Sequence, residues 1–327
     1  MTYKWQATMG SFREEADGSI RFVGGTERYT GDGTTTTGET TGPAIGNYIS
    51  NQGFEGGEIS ATVEFLSPSD GSACHLLFYY EPSVGLRPPN FMVAGLSSRG
   101  NLYSVSSFFQ GRWTLLAGTG TSGNLTAGGR NTYKLRVKVA GSAVALGVDD
   151  VEVLRAVIPT QLPSHAQAGL WCTGHTDILI KNYKVEKEEA VAFVVMPFRP
   201  PYTDLNVEVI QGICKSFGLG ALRTDDVHGP GIIVNDIAKQ ITNSRLVIAE
   251  VSEPNPNVYY EVGYAHALQK DTILIAAEGT KLTFDIAPFR TLFYENTIGG
   301  KRKVEAGLRR HLEAILERRP IEEGGVK

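Results

Sequence analysis

Leu246-Val-Ile-Ala-Glu-Val-Ser-Glu-Pro-Asn-Pro-Asn-Val-Tyr-Tyr-Glu261-Val-Gly-Tyr-Ala-His-Ala-Leu268 is the stretch on which the reading of the second half of this chain turns. Leu246 to Val251 is an apolar run of strand length. A short polar loop follows. Asn255 stands at an N-cap position and Pro256 at the first helical position, the pair that opens a helix. Glu261 then falls on the second turn, among Tyr259, Tyr260, Val262 and Tyr264. A second acid, Glu250, ends the strand. Two carboxylates at a strand-to-helix junction are a recurring way to build a site on an α/β sheet.

The pattern around this stretch extends it into a domain. Ala190-Val-Ala-Phe-Val-Val-Met196 is a continuous apolar run, expected of a parallel strand buried on both faces. Leu205, Val209, Ile210, Ile213 and Phe217 recur at helical spacing, and Gly218 and Gly220 stop that helix. Ala221-Leu-Arg223 reads as a second strand and Ile232 to Thr242 as a second helix. Leu246 to Val251 is the third strand and Asn257 to Gln269 the third helix. Thr272 to Ala277 and Arg290 to Tyr294 are two more strands, and Val304, Leu308, Leu312 and Ile315 mark a last helix. Alternating strands and helices predict a parallel sheet with helices on both faces, in the flavodoxin-like order 2-1-3-4-5. Ligands of such sheets bind outside the carboxyl ends of strands one and three. The prediction therefore brings Met196-Pro197-Phe198-Arg199, Glu250 and the Glu261 helix to one crevice. The loop from Arg223 through Asp225 and His228 borders it.

The first half reads differently. Helical periodicity is absent, and short alternating runs are separated by Gly, Asn, Ser and Asp. Tyr133, Leu135, Val137 and Val139 alternate with Lys134, Arg136 and Lys138, the mark of a half-buried strand. Glu58–Phe65, Leu76–Tyr80, Ala143–Val148 and 177–184 are further runs of strand length. Many short strands with turn signals predict an all-β sandwich. Glu58 and Glu64 share one strand face, which reads as a solvated face rather than a glycan-cleaving pair. Trp113, Trp171, Tyr79 and Tyr80 are aromatics that could stack on sugars, with Trp171 read as core. The charged stretch Glu186-Lys-Glu-Glu-Ala190 reads as the linker, so the expected domains are residues 1–186 and 187–327.

Composition sets outer limits. The chain has 327 residues, 41% hydrophobic and 20% charged, enough for two folded cores. A net charge of -4 gives no support for binding nucleic acid through its phosphates. Cys74, Cys172 and Cys214 are too far apart in sequence for a metal-ligand spacing and read as buried, reduced thiols. No apolar run reaches membrane-spanning length, and a cytoplasmic location is expected. There is no P-loop or GxGxxG spacing, which disfavours a kinase or dehydrogenase.

Two resemblances add to this reading. The order of strands from Asn131 to Val185, with Ala168-Gly-Leu-Trp-Cys172 between them, resembles the concanavalin-A-like (laminin-G-like) jelly roll over about residues 15–186. It implies a binding or assembly module with a glycan or protein ligand. Met196-Pro-Phe198, Arg223-Thr-Asp225, Ile248-Ala-Glu250, Asn255-Pro-Asn-Val-Tyr-Tyr-Glu-Val-Gly-Tyr-Ala265 and Phe284-Asp285 together resemble the nucleoside 2-deoxyribosyltransferase-like family, a relative of TIR domains. That resemblance covers about residues 190–295. It implies cleavage of an N-glycosidic bond with Glu261 as nucleophile or cation stabiliser. Met196, Pro197 and Phe198 would lie beside the base or ribose, and Asp225 would be a substrate-side acid. Arg199, Arg223, Glu250, Asn257 and Tyr260 are the remaining candidates for substrate binding. The family usually carries aspartate where this chain has Glu250. No cofactor is expected, NAD+ being a candidate substrate, and TIR-like effectors suggest a self-associating protein in antiviral defence. The alternatives are a deoxyribosyl transferase of nucleoside salvage and a non-catalytic interaction module.

Overall fold

The computed structural model describes residues 3–29, 40–123, 125, 130–223 and 233–317. It divides into two compact units. One holds Met1–Val139, Val144–Ala156 and His165–Lys187, and the other holds Ala140–Ala143, Val157–Ser164 and Glu188–Lys327.

The first unit is a sandwich of two antiparallel sheets. One sheet has, in spatial order, Trp5–Met9, Thr40–Gly53, Gln167–Gly174, Ala73–Glu81, Asn90–Ser97, Asn101–Phe109 and Arg112–Thr121, with Thr26–Tyr29 also paired to Thr40–Gly53. The other has Val151–Val157, Ala143–Val148, Thr132–Ala140, Gly57–Phe65, Ile178–Lys187, Ile20–Phe22 and Phe12–Glu14. The alternation read from the sequence is real. Tyr133, Leu135, Val137 and Val139 are buried, whereas the three cations between them are exposed. Val137 sits opposite Ile59, and Leu135 opposite Ala61, on the neighbouring strand. Glu64 lies on the outward face of its strand and pairs with Lys181 at 2.9 Å, the solvated duty expected of it.

Cys74 and Cys172 are direct cross-strand partners, with sulfurs 3.7 Å apart. Burial pushes the Cys172 thiol well up, and pushes Cys214 up to about 11. Neutral, buried thiols are poor nucleophiles. Iodoacetamide is therefore expected to leave all three unmodified in the native protein and to label them in denaturant. Fast native labelling of Cys74 or Cys172 would show that the sheet opens there.

The second unit is built on a five-stranded parallel sheet. Its strands are Ala190–Val195, Leu219–Arg223, Leu246–Glu250, Thr272–Ala277 and Thr291–Tyr294, and their spatial order is 2-1-3-4-5. Strand alternation sorts the side chains into two layers. Ala192, Val194, Met196, Leu246 and Ile248 face a core closed by Val209, Ile210, Val304 and Leu308. Phe193, Val195, Val247 and Ala249 face a core closed by Val258, Val262 and Ala265. The first helical segment is Tyr202–Leu205, a π-helical turn at Asn206–Ile210, and Gln211–Ser216. The remaining helices are Ile233–Asn243, Pro256–Ala267 and Ile298–Leu316. None of the described helices is long and apolar enough to cross a membrane.

This unit also buries charge. Arg245 contacts Asp271 at 3.3 Å, with the two side chains 3% and 5% exposed. The same guanidinium donates to the Leu162 carbonyl at 3.2 Å. Lys270 donates to the carbonyls of Thr242 and Ser244, which close the Ile233–Asn243 helix. Burial pushes the Lys270 amine down to about 7, and the nearby Arg245 guanidinium pushes the same way.

Candidate active site

Glu261 owes its position to a well-capped helix. The Asn255 side chain accepts from the backbone N–H groups of Asn257 and Val258, and Pro256 stands at the first helical position. The cap fixes where the helix starts and hence which residues turn inward. Val258, Glu261, Val262 and Ala265 do so, and the helix packs on the first and third strands. Glu261 is 8% exposed. No partner to its carboxylate is found among the described residues, and burial alone raises its pKa to about 7. An acid so placed keeps its charge only at a cost, unless a cation is brought to it. Uncompensated acids of this kind are characteristic of reaction centres.

Glu250 is a different case. It is 1% exposed, and its carboxylate is fully engaged. Ser252 donates to it from both backbone and side chain, and Tyr294 donates from its hydroxyl at 3.1 Å. Ser252 Oγ also accepts from the Ala277 backbone at 2.6 Å, so the acid ties strands three, four and five together. Burial raises its pKa against these hydrogen bonds. Strand parity places Glu250 on the Leu246 and Ile248 layer, whereas the helix of Glu261 covers the Val247 and Ala249 layer. The two acids thus belong to opposite faces of the sheet. A pocket of about 320 Å³ on the Glu250 side is lined by Pro201, Tyr294, Thr297 and Lys301, and Glu261 takes no part in it.

The end of the first strand meets the end of the second. Arg223 is buried, and its guanidinium carbon lies 5.0 Å over the ring of Phe198, which is 58% exposed. Met196 and Pro197, which precede Phe198, are buried. Arg199 is exposed and forms an ion pair with Glu253 in the loop after strand three. Asn257 and Tyr260 are exposed on the Glu261 helix, with Asn257 one turn ahead of the acid. Tyr259 and Tyr264 instead pack against the core. His266 stacks on Phe289 with ring centres 4.2 Å apart. Asp225 and His228 lie outside the described residues.

The Arg223–Phe198 stack, the Arg199–Glu253 pair and the Ser252–Tyr294 clamp were not foreseen from the sequence. Each joins residues far apart in the chain, and no local pattern announces them. The parity that separates Glu250 from Glu261 was legible, because Leu246, Ile248 and Glu250 are two residues apart.

No protein-family model matches the chain, and no curated protein matches it. Several solved structures are similar to parts of the chain. A carbohydrate-binding module from Bacillus subtilis is 15% identical, over 55% of this chain and 92% of its own, at a TM-score of 0.40. A Bacillus licheniformis β-glucanase is 11% identical, over 55% of this chain and 89% of its own, at a TM-score of 0.33. A CMP N-glycosidase from Clostridium botulinum is 17% identical, over 37% of this chain and 99% of its own, at a TM-score of 0.31.

Proposed function

We propose that the α/β unit cleaves the N-glycosidic bond of NAD+ or a related nucleotide, with Glu261 as the reaction-centre carboxylate. The observation that carries this reading is a buried acid with no compensating partner among the described residues, on a helix that starts at the sheet's switch point. The helix sequence, with its resemblance to nucleoside deoxyribosyltransferases, supports it independently. Breaking a C1′–N bond builds positive charge on the sugar ring, and a carboxylate in a low-dielectric site stabilises that charge or bonds to C1′. The base leaves with the electron pair of the broken bond. Water then supplies its oxygen to C1′ and releases a proton.

The leaving group decides between substrates. Nicotinamide departs neutral from a cationic ring and needs no proton. A neutral base must be protonated by an acid, a role that would fall to Asp225, which lies outside the described residues, or to Glu250, whose carboxylate already accepts from Ser252 and Tyr294. A cationic leaving group needs neither. Phe198, Arg223 and Tyr260 serve as the walls that hold base and phosphate, and the sandwich acts as the sensing or assembly module.

Incubating the purified chain with NAD+, with nucleoside monophosphates, and with deoxynucleosides plus an acceptor base tests the proposal. Free nicotinamide is the expected product. Base exchange between deoxynucleosides without hydrolysis would assign the unit to transfer instead. Turnover of none of them, or turnover undiminished in Glu261→Gln, would overturn it.

A further inference from the structure

The sandwich brings two of the three cysteines to one point of its core, a feature independent of the α/β reading. Register puts Gly46, Cys172, Cys74 and Leu96 in one row across four adjacent strands of the larger sheet. Side chains in such a row share a face. Here it is the inner one, because Cys74, Cys172 and Leu96 are fully buried. Their chain neighbours His75 and Trp171 point the other way. Those two rings meet edge to face at 5.3 Å, and His75 Nε2 reaches Ser104 Oγ at 3.0 Å.

The position of the two cysteines suits a covalent bond. Directly opposed residues of an antiparallel pair have Cα atoms about 4.5 or about 5.5 Å apart, depending on whether the pair is hydrogen-bonded. Both separations lie within the roughly 4.4–6.8 Å that a disulfide spans. The sulfurs already touch at 3.7 Å, so the bond would join atoms that are neighbours. The surroundings disfavour every other product. Gly46 has no side chain beside Cys172, yet that space is taken: a Cβ there would lie 2.6 Å from Phe12 Cε2 and 2.9 Å from Phe22 Cε2. Leu96 flanks Cys74 on the other side. A sulfinate or a mixed disulfide would force extra, partly polar atoms into this close-packed row. A bond between the two sulfurs adds no atom and removes two hydrogens.

We propose that Cys74 and Cys172 are a site of oxidative modification, closed by a peroxide into a disulfide that locks the strands Ala73–Glu81 and Gln167–Gly174 together. One thiol attacks the O–O bond. Its sulfur takes one oxygen and becomes a sulfenic acid, and the other oxygen leaves as water. The second thiol attacks that sulfur, the S–S bond forms, and the sulfenic oxygen leaves as a second water. The two sulfurs give up two electrons between them, and the peroxide takes both. Burial keeps the Cys172 thiol protonated, so the closed sheet reacts slowly. The bond therefore forms as the chain folds or while these strands are open. The two cysteines are 98 residues apart, and a loop of that length strongly restricts the unfolded chain once it is closed.

Two treatments of the full chain test this. One incubates the folded protein with millimolar hydrogen peroxide just below its melting temperature, and the other refolds it from denaturant in the same oxidant. Free thiols counted in denaturant are expected to fall from three to one, with Cys214 as the survivor. The mass should drop by two hydrogens, and a peptide cross-linked through Cys74 and Cys172 should appear. Dithiothreitol should reverse all three changes. The melting temperature of the sandwich, read by tryptophan emission, is expected to rise by about 5 to 15 °C. Cys172→Val should abolish both the cross-link and the rise, whereas Cys214→Ala should keep both. Three free thiols after both treatments, a bond to Cys214, or oxygen added to Cys74 or Cys172 in place of the bond would overturn the proposal. So would a cross-linked form that melts no higher than the reduced one.

Discussion

Glu261→Gln is expected to be at once more stable than the parent protein above neutral pH and catalytically crippled. The carboxyl has a pKa of about 7 when folded, against an ordinary value of 4.5. Between those values the folded state keeps a proton that the unfolded chain has released, so stability falls as pH rises through this window. Above pH 7 the whole penalty is present, and glutamine escapes it with the same volume and no charge. The variant should gain about 2 to 3 kcal/mol at about pH 8 and almost nothing at about pH 4. Denaturant unfolding followed by far-ultraviolet circular dichroism measures this. The same substitution should lower kcat about 10² to 10³-fold, the usual cost of losing a charge-stabilising group. In the parent protein, kcat/KM should climb along an acid limb centred near the pKa of Glu261. A glutamine variant no more stable at alkaline pH would mean that the carboxylate is compensated after all.

Asp271→Ala carries the second large effect. It removes the anion from a buried group that also holds Arg245 and Lys270. Stranding a buried cation costs about 3 to 5 kcal/mol. The α/β unit is expected to lose that much, read as a lower denaturant midpoint by circular dichroism. Trp5, Trp113 and Trp171 all belong to the sandwich unit, so tryptophan emission follows the other half separately. Lys270 has a folded pKa of about 7 and an ordinary value of 10.5, so the unfolded state binds its proton more tightly. The stability of parent and variant alike therefore rises with pH between those values, and the deficit persists there because Arg245 stays charged. A loss below about 1 kcal/mol would show that water reaches the cations.

How far the sequence could be read depended on the range of the interaction. The helix start at Asn255-Pro256 is local, and it was legible. So was the order of the parallel sheet, because its apolar runs and helical periods follow the connection rules of α/β proteins. Strand alternation in Tyr133–Val139 likewise specified which residues go inside. Trp171, read as core, packs half-buried against Ile49, Leu77, Tyr80, Phe91 and Val93 and also lines a pocket, a division on which alternation is silent because Ala168-Gly-Leu-Trp-Cys172 is apolar on both faces. In the sheet, Leu170 and Cys172 turn to the core and Trp171 turns out. The His75–Ser104 pair depends on the register of three strands, and Arg223 on Phe198 depends on two strand ends meeting. Neither leaves a trace in local spacing.

The division of the chain has a consequence for its history. Val157–Ser164 runs inside the sequence of the sandwich, yet it belongs with the α/β unit and supplies the Leu162 carbonyl and Ser164 hydroxyl to Arg245. The Ser142 backbone donates to Thr242 at 2.9 Å from a second such segment. A gene fusion or domain shuffle with its joint at Lys187 would carry off those donors and acceptors and leave a buried guanidinium without its carbonyl. The two halves are therefore expected to be inherited together, with the sandwich gene segment exchanged only as a whole that brings its own match for Arg245.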